Sequence, residues 1–101
     1  MKKQITYSNF VKWANKLSPH KRFDYCDNHK CVFASFLLSL GYKKVFVLQS
    51  KYNLTGDFEF DDLFPIPFEI LAVVNLTRIY DRISKKHILK AIKERERRNH
   101  L

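Results

Sequence analysis

Phe23-Asp24-Tyr25-Cys26-Asp27-Asn28-His29-Lys30-Cys31-Val32-Phe33-Ala34-Ser35-Phe36-Leu37 is the stretch on which the fold of this chain turns. Its first half gathers aromatics, carboxylates, a cysteine and a histidine. Its second half opens the most apolar run in the sequence. Asp27 or Asn28 is placed to cap a helix running to about Leu40, and Gly41 suits its left-handed C-terminal residue. Cys31, Val32, Phe33, Ala34, Phe36, Leu37, Leu38 and Leu40 leave this helix apolar almost all round, so it belongs at the centre of the fold. Ser35 and Ser39 mark its least apolar line.

Upstream, Ser8 is a candidate N-cap, and Phe10, Trp13, Ala14 and Leu17 follow at amphipathic helical spacing. Ser18-Pro19 stops this helix. Downstream, Lys44-Val45-Phe46-Val47-Leu48-Gln49 reads as a strand. A polar turn over Ser50 to Gly56 returns the chain into Phe58-Glu59-Phe60, an edge strand by its alternation. Asp57, Glu59, Asp61 and Asp62 make the one acidic patch. Pro65 and Pro67 bracket the approach to an apolar segment from Phe68 to Val74, and Thr77 is a cap for a further helix. Ile79 and Ile83 share one face of a helix begun there. Ile88 and Ile92 fall on roughly the opposite face of the same straight helix. Ser84, at the slip, is itself a fair N-cap. Two helices, or one bent at Ser84, are therefore expected, with Lys85 to Arg98 as a basic amphipathic end. The expected fold is a small single α+β domain over residues 1–101. It has a central apolar helix, flanking helices, a short two- or three-stranded antiparallel sheet and a basic helical C-terminus.

A length of 101 residues fits one core, and 46% hydrophobic content with nine Phe and five Tyr speaks for a folded globule over a disordered tail. The apolar run from Cys31 to Leu40 is much shorter than the ~20 residues that cross a bilayer. The N-terminus lacks a secretory pattern, and two cysteines five apart make no disulfide framework, so a reducing, cytoplasmic setting is expected. Net charge is +9, unevenly spread. Residues 1–49 hold nine Lys/Arg against two acids, residues 50–83 three against six, and residues 84–101 seven against two. A field of this sign attracts nucleic acid, anionic membrane or an acidic protein. Solubility alone is its plain alternative.

Cys26 and Cys31 with His29 between and His20 upstream invite a zinc reading. The second ligand pair is missing, since His87 and His100 have no partner at ligand spacing. No metal or cofactor is expected. Cys31 at a helix start would feel the positive end of the dipole, which favours a thiolate nucleophile. No marked base among His20, His29, His87 and His100 and no glycine-rich oxyanion turn accompany it, so burial is preferred and no catalytic residue is assigned. Asp24, Asp27 and Asn28 read as turn and cap residues. The basic surface is the strongest signal. Lys12, Lys16, Lys43, Lys44, Lys85, Lys86, Lys90, Lys93, Arg95, Arg97 and Arg98 are its candidate contacts, with Tyr42 and Tyr52 as stacking rings. Glu94 and Glu96 interrupt the tail with intrahelical pairs. No helix-turn-helix, finger or single-strand RNA signature is present.

Trp13, Pro19, Phe23-Asp24-Tyr25, Cys31-Val32-Phe33-Ala34-Ser35-Phe36-Leu37 and Gly41 together carry a resemblance covering about the first half of the chain. The pattern resembles a loose group of small phage and prophage proteins with a tryptophan helix, an aromatic-Asp-Tyr turn and a Cys-x-x-Ala-x-x-Leu helix. The resemblance implies a phage-type origin and a binding protein that disables host machinery, as anti-CRISPR proteins do. Many such inhibitors are acidic mimics of nucleic acid, and this chain is basic. Surface blocking of a host protein or nucleoprotein complex is therefore the expected function. Direct DNA or RNA binding is the alternative, and an enzyme using Cys31 a third reading; no membrane partner is expected.

Overall fold

The chain was analysed as a computed structural model, which describes residues 4–24, 29–56 and 63–99. Helix α1 (Tyr7–Asn15) begins at Thr6, whose Oγ1 accepts the Asn9 N–H at 3.2 Å. The cap is therefore Thr6 and not Ser8, because the chain leaves extended geometry two residues earlier. Phe10 and Ala14 are buried. Strand β1 (Arg22–Asp24) follows. Helix α2 (Val32–Ser39) is capped by Cys31, whose Sγ accepts the Ala34 N–H at 3.5 Å. This corrects the expected cap at Asp27 or Asn28: the first helical turn forms beyond them, and both lie outside the described residues. Gly41, at φ 106°, ends the helix as its spacing predicts.

The rings of α1 and α2 organise the core. Phe10 meets Phe36 edge-on at 5.2 Å between centroids, and Trp13 lies 5.5–5.8 Å from Phe10, Phe23 and Phe36. Such tilted and edge-on pairs add to the area they bury. Phe33 and Leu37, fully buried, extend the cluster, whereas Leu38, 43% exposed beside the exposed Ser39, departs from the expectation that α2 is buried all round.

Strands β2 (Phe46–Leu48) and β3 (Lys51–Asn53) pair antiparallel, with Leu48 opposite Lys51. Only Gln49 and Ser50 join them, so the hairpin returns well before the expected Phe58-Glu59-Phe60 strand, which lies outside the described residues. Gln49 has φ 55°. A positive φ at the first loop position matches the strand twist in a two-residue hairpin. Strand β4 (Phe64–Pro65) completes this three-stranded sheet on β3. Helix α3 (Phe68–Thr77) buries Ile70, Val73 and Val74.

Strand β5 (Arg82–Ser84) pairs antiparallel with β1, setting Arg22, Phe23 and Asp24 opposite Ser84, Ile83 and Arg82. The last helix, α4 (Lys85–Asn99), starts at the next residue. The expected helix from Thr77 through Ile79 and Ile83 is thus overturned. Thr77 ends α3, its hydroxyl donating to the Val74 carbonyl at 2.7 Å, and Ile83 is buried in a strand. The phase change at Ser84 is real, but it separates a strand from a helix. The result is an α+β fold that has, among the described residues, four helices and two small antiparallel sheets, with a radius of gyration of 13.0 Å.

Candidate functional site

The densest patch of lysine lies on α4, and its position follows from how that helix is started and seated. Ser84 is both the last residue of β5 and the cap of α4. Its N–H donates to Nδ1 of His87 at 3.2 Å, the third helical residue reaching back to the cap as in a capping box. The His87 ring stacks flat on Tyr80, 3.7 Å away. Ile88, Ala91 and Ile92 then seat the helix in the core.

Arg95 continues that seated line at i+7 from Ile88. Its side chain is only 13% exposed, its guanidinium lies 5.2 Å from the Tyr7 ring, and Nη2 stands 3.8 Å from a Glu69 oxygen. The structure therefore uses Arg95 to join α4 to α1 and α3, apart from the other expected contacts. The sequence carried that signal: Ile88, Ala91, Ile92 and Arg95 follow one helical face.

On the opposite side, Lys86, Lys90 and Lys93 are exposed. At ~100° and ~1.5 Å per residue they fall within about 60° of one another over a rise of about 10 Å. They border an open groove of about 620 Å³ whose other lining residues are Pro19, Lys85 and Leu89. Lys85 differs from its neighbours. Its ammonium donates to the Asn15 carbonyl at 2.8 Å, closing the C-terminal end of α1 against the start of α4. Pro19, just beyond α1, thereby becomes a wall of the groove. Neither Pro19 nor Leu89 was among the expected site residues; Leu89 lies midway along the lysine face, and Pro19 joins it only through the tertiary fold.

The other expected cations sit elsewhere. Arg97 and Arg98 both pair with Glu94, at 3.1 and 3.3 Å, in the exposed intrahelical manner expected of a solvated helix. Lys12 on α1 and Lys16 at its C-cap are exposed, beside a shallow depression with Trp13 and Ser39. Lys43 and Lys44 are exposed in the loop after α2. Tyr52 turns its ring edge-on to Phe33 at 5.2 Å and so belongs to the core side of the second sheet. Burial, helped by Tyr42, pushes its phenol above the usual range. Tyr7 is raised in the same direction, chiefly by burial and then by the Glu96 carboxylate, with Arg95 opposing.

Of the polar joint before α2, residues 25–28 lie outside the described residues. Cys31 is 9% exposed and packs with the core. His29 is exposed, its ring 5.7 Å from that of Phe46. Among the described residues, no three His, Cys, Asp or Glu side chains gather to hold a metal, and no helix is long and apolar enough to cross a membrane. No protein-family model, curated protein or solved structure matches this chain.

Proposed function

We propose that this chain is a small basic binding protein that docks through the lysine face of α4 on the phosphates of a nucleic acid, free or within a nucleoprotein complex. The observation that carries this reading is the grouping of Lys86, Lys90 and Lys93 on one exposed side of a helix whose opposite side is fixed in the core. Ammonium groups held on a rigid element meet phosphates without much loss of order, and displaced counterions drive the association. A phage-type role, blocking a host nucleic-acid-handling or defence complex in the cytoplasm, fits this surface, because such complexes expose nucleic acid.

The test is a titration with DNA and RNA at two or more salt concentrations. Three phosphate contacts give a slope of log K against log salt of about −2 to −3. Replacing Lys86, Lys90 and Lys93 by Gln should remove most of that slope. Binding that is absent at low salt, or unchanged by salt, overturns the reading. Capture of a nucleoprotein complex from host lysate that is lost on nuclease treatment supports docking on the nucleic acid itself. Capture that survives both nuclease treatment and the triple substitution points to a protein surface instead.

A further inference from the structure

The lysines of α4 do not stand on a polar floor. Leu89 lies between Lys85, Lys86 and Lys93 on the helix face, and Pro19 faces it from the end of α1. Lysine stems contribute apolar area to any such face, with the ammonium carried outward. Leu89 and Pro19, by contrast, bring no head group of their own. The groove is thus an apolar strip fringed by ammonium groups, with the Lys85–Asn15 bond tying α4 to α1 beside it.

The two forms of nucleic acid use such a strip differently. A duplex keeps its bases stacked inside and presents mainly phosphate and sugar to a helix lying along its backbone, so an apolar floor gains little from it. An unpaired strand carries phosphates and free base faces together; its binders combine cations for the backbone with aromatic rings for the base, and apolar side chains also hold an unstacked base. The groove has both parts. Among its described lining residues there is no Asn, Gln or Arg to read a base edge, and its exposed lysines are assigned to phosphates.

Building on the phosphate-docking reading, we infer that the groove between Pro19 and α4 seats an unstacked base of single-stranded nucleic acid on Leu89 and Pro19, with Lys86, Lys90 and Lys93 on the flanking phosphates, without sequence specificity. Lys85 is a positioning residue here, since its ammonium is engaged by Asn15.

The experiment compares fluorescent oligo(dT) with a mixed-sequence duplex of equal length, for the full chain and for the Leu89→Ser, Pro19→Ser and Lys86/Lys90/Lys93→Gln variants. The single strand should bind about tenfold tighter than the duplex, toward the low end of what a base stacked on an aromatic ring contributes, because Leu89 and Pro19 offer no π-face. Leu89→Ser should remove most of that preference while leaving duplex affinity within about twofold, and the lysine variant should weaken both probes. Pro19 is exposed, so Pro19→Ser carries the test if the thermal midpoint shows that Leu89→Ser has lost its fold. Equal affinity for the two probes, or a preference untouched by a folded groove variant, overturns the inference and leaves the phosphate-docking reading standing. Failure of both probes to bind at low salt overturns both.

Discussion

The ammonium of Lys85 donates to the Asn15 carbonyl at 2.8 Å, joining the first residue of α4 to the last residue of α1. A cation at a helix C-terminus is favourable to the dipole, and the bond satisfies a carbonyl that has no partner within its own helix. Lys85→Met keeps the stem and removes the bond. It should lower stability by about 0.5–1.5 kcal/mol, read as a shifted denaturant midpoint. Nucleic-acid affinity should fall less for Lys85→Met than for Lys90→Met, because Lys85 acts through the groove's geometry.

Gln49 holds φ 55° in the two-residue hairpin, a region that a residue with a Cβ occupies at a cost of about 1 kcal/mol. Its carbonyl accepts a hydrogen bond from Arg78 Nη2 at 2.8 Å, which ties the hairpin to the end of α3. Gln49→Gly should leave stability unchanged or raise it by up to about 1 kcal/mol in chemical denaturation. Arg78→Ala should lower it by about 1 kcal/mol.

His87 does two jobs at the start of α4, accepting from the Ser84 N–H and stacking on Tyr80. His87→Ala loses both and should cost about 1–2 kcal/mol. His87→Gln restores an acceptor at the third helical position and should recover part of that loss. Equal midpoints for the two variants would show that the cap bond contributes nothing.

The Tyr7 hydroxyl is buried and has no hydrogen bond of good geometry among the described residues. Its pKa is raised above the unfolded value of 10.0. Above about pH 10 the unfolded chain sheds this proton while the folded chain keeps it, so stability is complete below that pH and falls as pH rises toward the folded value. Tyr52 acts in the same direction. Tyr7→Phe should be close to neutral at pH 7 and should flatten the alkaline loss of stability, measured by unfolding across about pH 9 to 11.

Cys31 caps α2 and is 9% exposed. Its alkylation in the native protein, followed at the peptide level to separate it from Cys26, should be at least about tenfold slower than in the unfolded chain. A native rate above that of a free thiol would revive the nucleophile reading.

Elements defined by local pattern were legible in the sequence. The apolar periodicity of α1, the burial of α2 on every side but the one that carries Leu38 and Ser39, the glycine stop at Gly41 and the break at Ser84 needed no knowledge of distant residues. What escaped reading depends on distant pairing. Arg22-Phe23-Asp24 and Arg82-Ile83-Ser84 are too short to announce themselves as strands, and each becomes one only opposite the other. Caps slid for a related reason: Thr6 and Ser8 offer the same hydroxyl, and even the weak sulfur acceptor of Cys31 serves as a cap where the approach of the chain starts the helix. At the candidate site the charge of α4 was plain, and helical phase separates Arg95 from Lys90, but that Arg95 meets Tyr7 and Glu69 depends on how α1 and α3 pack on α4.

The β1–β5 ribbon has a consequence for recognition. One of its strands follows Pro19 in the chain and the other runs straight into α4, so three residue pairs link the two sides of the groove. A slip of two residues along that ribbon would carry one jaw past the other by about 7 Å, roughly the spacing of adjacent phosphates on an extended strand. Under the proposed docking, selectivity for a single strand would then depend on Phe23 paired opposite Ile83, out of a ligand's reach, as well as on the lysines of α4.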